Sequence, residues 1–180
     1  MSVTLETDRL ILRPPVKEDL DGYAELMGDE QSARYLGGVQ LRPAAWRGLA
    51  SVAGSWSLLG FGMFSVVEKA SGACIGRIGP WRPEGWPGTE VGWGIVRSAW
   101  GKGYATEAAI ACVDWSFDVL GWSEVIHTID SANAASKAVA RGLGSSFMRM
   151  DRLPPPFDIE LEVWGQTREQ WRARAQAAKR

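Results

Sequence analysis

The residues with the most specific chemistry form one short stretch, Trp100-Gly101-Lys102-Gly103-Tyr104-Ala105-Thr106-Glu107-Ala108. This stretch follows an alternating, strand-like run and leads into an apolar run of helical length. Glycines at such a junction let the backbone approach a ligand closely, and the unpaired N–H groups of the first helical turn point towards that ligand. Because the helix macrodipole favours negative charge there, the pattern predicts an anion cradle with a pyrophosphate as its leading ligand.

Two familiar phosphate-binding loops do not fit this stretch. A Walker A loop requires Lys-Ser or Lys-Thr after its second glycine, whereas Tyr104 follows Gly103 here. A dinucleotide fingerprint requires a third glycine where Thr106 stands. A glycine-rich connection without a ligand and a nucleotide-phosphate site of another kind are the alternatives that the loop alone leaves open.

A second polar group, Asn133-Ala134-Ala135-Ser136, opens a predicted helix directly after a predicted strand. Asn133 is a favourable N-cap and Ser136 lies in the first turn, so capping alone explains both residues, and a ligand contact is the competing interpretation. Arg141 lies further along the same helix, where its guanidinium either reaches a phosphate group or faces solvent.

Two titratable residues are candidates for a general base. Alternation along the strand that feeds the cradle puts Glu90, Gly92 and Gly94 on one face, and a glutamate beside glycines can border a cleft. Solvent exposure is the competing interpretation for Glu90. His127, the only histidine, lies in the middle of a predicted strand and is either a packing residue or a base or proton relay.

The composition excludes several classes of protein. A formal net charge of −1 over 180 residues provides no basic surface for nucleic acid, so any phosphate binding is local. Cys74 and Cys112 are far apart and form no zinc or redox motif, so we expect no metal site and a reducing cytoplasm. The charged start of the chain is unlike a secretory signal, and Asp114 and Asp118 interrupt the most apolar helical run, Ala108–Leu120, so we expect no membrane association.

Residues 1–180 are predicted to form a single α+β domain in which helices flank a mixed sheet. The predicted elements are strand Leu5–Leu12, helices Lys17–Met27 and about Pro43–Leu58, strands Phe61–Val67, Ala73–Ile78 and Thr89–Val96, helix Ala105–Leu120, strand Glu124–Ile129, helix Asn133–Leu143, strands Ser146–Met150 and Ile159–Trp164, and a helical tail over about 167–180. Thr167 and Gln170 have the spacing of a capping box at the start of that tail.

The glycine-rich stretch and the element order resemble those of the GNAT superfamily of N-acetyltransferases. The pyrophosphate loop of that family reads Gln/Arg-x-x-Gly-x-Gly/Ala, which places Trp100 at the first position, Gly103 at the glycine and Ala105 at the last position. The sequence of the stretch is similar to that of the ribosomal-protein N-acetyltransferase branch of this family. The resemblance covers essentially the whole chain and implies the GNAT fold, with a mixed, mostly antiparallel sheet.

The resemblance also implies a reaction, direct transfer of an acetyl group from acetyl-CoA to a primary amine in a ternary complex. Glu90 is the first catalytic candidate, Ser136 would lie near the thioester sulfur, and His127 is the second candidate for the base. Asn133 would bind the pantetheine arm. The residues expected to contact acetyl-CoA are Ile95, Val96, Trp100, Gly101, Lys102, Gly103, Tyr104, Ala105, Thr106, Asn133, Ser136 and Arg141.

The sequence departs from the family pattern at three positions. Several members protonate the departing thiolate with a tyrosine where this chain has Ala140, so Ser136 or water would have to serve. Trp100 replaces a polar residue of the loop, and Ser145 replaces a bulky residue after Leu-Gly. The missing tyrosine supports an alternative of another class, a CoA-binding module without turnover.

The acceptor is predicted from three segments that form its site in this fold, Tyr35–Gly38, Trp81–Trp86 and Leu153–Phe157. Their aromatic and proline residues suggest an apolar-walled cleft for a flexible chain end or a hydrophobic amine, or else a packing or dimer contact. A peptide or protein N-terminus is the first choice of acceptor, and a small amine metabolite or antibiotic is the second. We expect a monomer or a homodimer.

Overall fold

Eight strands form one mixed sheet in a computed structural model that describes residues 3–177 of the chain. The strands are β1 (Leu5–Glu6), β2 (Leu10–Arg13), β3 (Phe64–Glu68), β4 (Cys74–Trp81), β5 (Glu90–Ile95), β6 (Glu124–Ile129), β7 (Ser146–Arg152) and β8 (Glu160–Thr167). Their spatial order is β1-β2-β3-β4-β5-β6-β8-β7, and all neighbours are antiparallel except β5 and β6. The predicted mixed, mostly antiparallel sheet is therefore confirmed.

Helices cover both faces of this sheet. They are α1 (Leu20–Gly28), α2 (Glu30–Ala33), α3 (Arg42–Leu59), α4 (Tyr104–Asp118), α5 (Ala134–Leu143) and α6 (Arg168–Ala177). On one face, α1 places Leu26 against Gly94 of β5. On the other face, α4 packs Trp115 against Phe64 of β3, with ring centroids 5.4 Å apart. The α4 helix thus forms the crossover between the two parallel strands.

The element bounds agree with the sequence prediction to within a few residues, with two corrections. The predicted single strand Leu5–Leu12 is a hairpin instead, in which Leu5 pairs with Leu12 and the Thr7 N–H donates to the Leu10 carbonyl over 3.0 Å. The short helix α2 was not predicted; Asp29 caps it, because its Oδ2 accepts from the Ser32 N–H over 2.8 Å.

The predicted tail begins with the expected capping box. The Thr167 N–H donates to Gln170 Oε1 over 2.8 Å, and the Gln170 N–H donates to Thr167 Oγ1 over 3.2 Å. The tail beyond Ala177 lies outside the described residues. Within residues 3–177, no helix is both long and apolar enough to cross a membrane.

A close backbone contact fixes α1 against the sheet. A Cβ added at Gly22 would lie 2.1 Å from the Cys74 carbonyl oxygen of β4, so only glycine allows this approach. Gly28, in the same helix, has no atom within 4 Å of the corresponding position.

We predict that Gly22→Ala lowers the free energy of unfolding by about 1–3 kcal/mol or more, because α1 has to move away from β4. Gly28→Ala is the matched control; it should be neutral or stabilising by up to about 1 kcal/mol, because alanine favours the helix. Denaturant titration of both variants measures the difference. Equal midpoints for the two variants would contradict this account of the α1–β4 contact.

Candidate active site

The two parallel strands at the centre of the sheet separate just after they meet. β5 and β6 share a single register pair, Glu90 with Ile126, next to a 2.9 Å bond from the Ile126 N–H to the Thr89 carbonyl. Along the rest of its length β6 pairs with β8 alone. The downstream halves of β5 and β6 therefore border a gap in the sheet.

The predicted cradle lies directly after β5. Gly101 and Gly103 adopt φ values of +73° and +80°, a conformation that favours glycine, and an added Cβ at Gly101 would meet no atom within 4 Å. Arg9 supports the loop from behind, since its Nη1 donates to the Lys102 carbonyl over 2.9 Å and its guanidinium lies 4.5 Å from the Tyr104 ring centre. The loop thus presents open backbone at the start of α4, as the sequence predicted.

Two cavities meet at the gap between the strands. The cradle cavity, of about 540 Å³, is lined by the glycine loop, the first turn of α4, the start of α5 and part of α2. The loop cavity, of about 490 Å³, lies among α1, α3, β4 and β5 and is closed by residues 81–86 and 153–157. Five residues line both cavities and form their junction: Tyr35, Leu36, Trp93, Asn133 and Ser136.

Ser136 is held at this junction with its hydroxyl proton free. Its backbone N–H donates to the Asn133 side chain over 3.1 Å, so Asn133 caps α5, and the Trp93 indole N–H donates to Ser136 Oγ over 3.2 Å. Within the described part of the chain, no protein group accepts from the Ser136 hydroxyl. The hydroxyl can therefore donate a hydrogen bond to a group placed between the cavities.

Tyr35 crosses the junction from the opposite side. Its hydroxyl donates to the Ala132 carbonyl over 3.3 Å and thereby links the chain after α2 to the start of α5. Because Tyr35 lines both cavities, it forms a common wall between them.

Glu90 lies in the wall of the loop cavity with its carboxylate almost fully buried. Its Oε1 accepts from the Thr128 N–H over 3.1 Å and from the Thr128 hydroxyl over 3.0 Å, and its Oε2 accepts from the Trp86 indole N–H. Three donors leave one of the roughly four acceptor sites of the carboxylate free. Burial raises the pKa of Glu90, although the bonds from Thr128 and Trp86 lower it in part. A raised pKa is what a general base near neutral pH requires.

His127 fills the gap between β5 and β6 and also lines the loop cavity, and its role as base or proton relay stays a prediction. Nδ1 lies 2.7 Å from the Val91 carbonyl, so Nδ1 carries the proton; Nε2 then accepts from the Ser145 hydroxyl over 3.0 Å. Gln166 donates to Ser145 Oγ over 2.9 Å and completes the network. Burial lowers the pKa of His127 to about 4, so the imidazole stays neutral with both nitrogens engaged.

The departures from the family pattern at positions 140 and 145 now have a physical reason. Ser145 is small and polar because it contacts His127, where a bulky residue would displace the imidazole. Ala140 is fully buried beside Ile129 and Trp164 and lines neither cavity.

Three of the predicted acetyl-CoA contacts do not line the cradle cavity. Arg141 is exposed and places its guanidinium 5.1 Å from the Trp164 ring centre, so its phosphate contact stays a prediction. Val96 is buried and its N–H donates to the Ile75 carbonyl, so it cannot donate to a ligand. Lys102 is exposed and contributes its carbonyl to Arg9 instead.

The other predicted contacts come together in the cradle cavity. They are Ile95, Trp100, Gly101, Gly103, Tyr104, Ala105, Thr106, Asn133 and Ser136. Sequence reasoning missed the wall formed by α2 and the turn after it, which adds Gln31, Ser32 and Arg34. No motif marks that wall, because its four-residue helix has no hydrophobic period to detect.

We predict that His127 makes stability depend on pH between about 6.5 and 4. The pKa of His127 is lower in the folded protein than the ordinary 6.5, so the unfolded chain binds the proton first as the pH falls. The contribution of the neutral His127 to the free energy of unfolding is fully present above pH 6.5, and it declines by about 3 kcal/mol as the pH falls to 4. Urea unfolding of His127→Gln at several pH values should give a shallower slope than the wild type. Parallel slopes would disprove the neutral, buried imidazole.

The sequence is similar to a known domain family and to individual proteins. Residues 9–146 match the acetyltransferase (GNAT) domain family. The FsC-acetyl coenzyme A-N(2)-transacetylase of Aspergillus fumigatus is 40% identical over 88 residues, which cover 46% of this chain and 37% of that protein. YkkB, an uncharacterised protein of Bacillus subtilis, is 33% identical over 52% of this chain and 55% of its own length. The chain thus spans only about half, or less, of the length of these curated relatives.

The fold has close counterparts among solved structures. An acetyltransferase from Agrobacterium tumefaciens superimposes with a TM-score of 0.80 and 31% identity, over 92% of this chain and 95% of that one. A Vibrio cholerae protein, provisionally named a ribosomal-protein-serine acetyltransferase, has a TM-score of 0.77 over 92% of this chain and 97% of its own, with 18% identity. The second likeness shows a shared fold. From the domain match and the fold together, the chain belongs to the GNAT family of acetyltransferases.

Proposed function

We propose that the protein is an acetyl-CoA-dependent N-acetyltransferase that transfers an acetyl group to a primary amine by direct attack in a ternary complex. The observation that carries this proposal is the meeting of the two cavities at Ser136 and Trp93. Direct transfer requires donor and acceptor to share one open space. A cavity at the cradle and a second cavity behind the loops, joined at the gap in the sheet, provide that space.

The cradle cavity suits acetyl-CoA in shape and polarity. The first turn of α4 turns unpaired N–H groups towards the open space over Gly101, which suits a pyrophosphate. The cavity then continues along Ile95 and Trp93 to the junction, where Asn133 and Ser136 can meet the pantetheine end. Bound acetyl-CoA would supply the thioester whose carbonyl carbon the amine attacks.

The cysteines argue for direct attack and against an acyl-enzyme. Neither Cys74 nor Cys112 lines either cavity, and burial raises the pKa of both thiols. A protonated, buried thiol is a poor nucleophile. The amine itself is therefore the nucleophile in this proposal.

Glu90 and Ser136 take the two proton-transfer roles. Glu90 accepts the proton of the attacking amine, either directly or through one water, at its remaining acceptor site. Ser136 donates its hydroxyl proton towards the thiolate that leaves as the C–S bond breaks. That proton is free because Ser136 Oγ only accepts in its bond with the Trp93 indole N–H. Fixed donors on Glu90 and Ser136 hold both groups in place before the substrates bind.

A peptide or protein N-terminus is the proposed acceptor, and the cytoplasm is the proposed location. An α-amine with a pKa of 7.7–8.0 is about 10–20% neutral at pH 7, so a weak base or a water chain suffices. Trp86 and Phe157, 6.2 Å apart in an edge-to-face pair, line the loop cavity and offer apolar walls to a chain end. The provisional name of the Vibrio cholerae neighbour supports the same choice.

A small amine is the second candidate acceptor, since the name of the Aspergillus relative specifies an N(2)-transacetylase. A CoA-binding module without turnover is the candidate from another class. Release of CoA from acetyl-CoA, measured with peptide N-termini, amino acids, polyamines and aminoglycosides, tests all three. Acetyl-CoA binding without turnover on any of these amines would favour the module.

We predict that Gly101→Asp weakens acetyl-CoA binding by at least about a hundredfold, because a carboxylate would enter the open space proposed for the pyrophosphate. Gly101→Asn is the matched control, with the same shape and the same φ of +73° but no charge, and it should lose about tenfold at most. Calorimetry on both folded variants measures the effect. Unchanged affinity in the Asp variant would remove the cradle from the proposed function, and equal losses would point to space rather than charge.

We predict that Glu90→Gln lowers kcat by about 10²–10⁴-fold at neutral pH and leaves acetyl-CoA affinity unchanged, because the amide cannot accept the proton. For an α-amine the expected loss extends down to about tenfold, because part of the amine is already neutral at pH 7. The loss should shrink as the pH approaches the pKa of the amine, because more free amine is then supplied by solvent. A pH–rate profile identical to that of the wild type would make Glu90 a structural residue.

A further inference from the structure

One arginine of the loop cavity has no partner. Arg77 of β4 lines the cavity, and within residues 3–177 its guanidinium makes no hydrogen bond or ion pair. Burial lowers the pKa of Arg77, and Tyr23 is the one group that raises it in return. Keeping a cation in a poorly solvated place without a counter-charge costs stability, so such a group usually serves a ligand.

A neighbouring arginine on the same face of the sheet has a carboxylate partner. Arg13 of β2 pairs in register with Ser65 of β3, and Ser65 pairs with Arg77, so the two arginines lie in one row. Arg13 forms two 2.7 Å bonds to the carboxylate of Asp19. Arg77 lines the loop cavity instead, and its register partner on β5 is Gly94.

A neutral residue lies beside Arg77 in the same wall. The Tyr23 ring lines the loop cavity, but its hydroxyl is fully buried beside Ser65, and neither hydroxyl makes a hydrogen bond in the described structure. Burial raises the pKa of Tyr23 to about 12, so the phenol stays uncharged. The Arg77 guanidinium is therefore the donor that this wall offers to an anion, and the phenol beside it supplies no competing negative charge.

We infer that Arg77 binds a carboxylate of the acceptor, so that the preferred substrates are primary amines that also carry an acidic group. This inference rests on the proposed N-acetyltransferase function and specifies its acceptor. The carboxylate accepts from the guanidinium. The charge pair forms only when the acceptor is bound.

The other charged groups around the loop cavity do not compete for Arg77. Glu84, Glu90 and Asp130 line the cavity, but none is paired with the guanidinium. Glu90 is four residues along β5 from Gly94, the register partner of Arg77, and that spacing is about 13 Å of strand. The amine and the carboxylate of the acceptor are therefore held apart, which suits an acidic side chain of a peptide or the far end of a small amino acid.

The test compares acceptors that differ only in one charge. Peptides with an amidated C-terminus carry Glu or Gln near the N-terminus in one arm, and free glutamate and glutamine form the other arm. We expect the wild type to prefer the carboxylate by about 10–10²-fold in kcat/KM in at least one arm. In Arg77→Gln the ratio of kcat/KM for carboxylate over amide acceptors should fall to about one, because KM for the carboxylate acceptor rises. Arg77→Lys should retain part of the preference.

Arg47→Gln is the matched control, because Arg47 is exposed on α3 and lines neither cavity. It should leave the ratio unchanged. The arm that shows the preference identifies the source of the carboxylate. Equal rates on carboxylate and amide acceptors in both arms, or a preference that survives in Arg77→Gln, would overturn the inference.

A binding measurement separates this inference from the proposed function. With CoA present, the acidic acceptor should raise the melting temperature of the wild type but not of Arg77→Gln. If no amine released CoA, the proposed function would fail while this shift could still occur. If turnover were found with no shift and no charge preference, the inference on Arg77 would fail by itself.

Discussion

The imidazole of His127 takes the place of a strand-to-strand hydrogen bond where β5 and β6 part. Its Nδ1 donates to the Val91 carbonyl, which would otherwise lack a partner at the edge of the gap, and Ser145 satisfies Nε2. The strands are thus held apart at a fixed width without leaving buried polar groups unpaired. Trp93 packs against the same ring, with centroids 4.7 Å apart, and presents its indole N–H to Ser136.

The walls of the junction depend on this single contact. Glu90 occupies the last position at which β5 and β6 still pair, and Ser136 stands on α5 across the gap. A charged imidazole would repel the cation of an incoming amine and lose its bond from Ser145. The low pKa of His127 keeps the imidazole neutral and so preserves the bond from Ser145.

Two ionisable residues on one face of the sheet differ in whether the protein supplies their hydrogen-bond partners. Glu90 is surrounded by donors from Thr128 and Trp86, so its position is fixed in the free protein. Arg77 receives no counter-charge, so part of the stability that a paired arginine would provide is given up. Such a concession is expected where a binding site is arranged for a ligand rather than for the fold.

The sequence predicted what is encoded locally. The cradle was identifiable because Gly101 and Gly103 are needed at the start of one helix, and the α5 cap because Asn133 and Ser136 are three residues apart. The role of His127 was not, because its partners Ser145 and Val91 lie 18 and 36 residues away along the chain.

Other features had no signal in the sequence. The α2 wall of the cradle cavity is too short for a hydrophobic period. Arg77 is indistinguishable from any strand arginine until β3, β4 and β5 are in register, when Arg13 is seen to have a carboxylate and Arg77 none. Trp86 falls in a segment predicted to border the acceptor, but its bond to Glu90 depends on the fold of the loop over β5.

The side chain of Tyr35 has a consequence for the order of events during turnover. It belongs to both cavities and is tied to the Ala132 carbonyl at the entrance to α5. Any displacement of this ring by one substrate would alter the wall offered to the other. Such coupling would be reciprocal by thermodynamic necessity: whatever factor the donor contributes to acceptor affinity, the acceptor returns to the donor. The ring of Tyr35 is the shared boundary at which that exchange would take place.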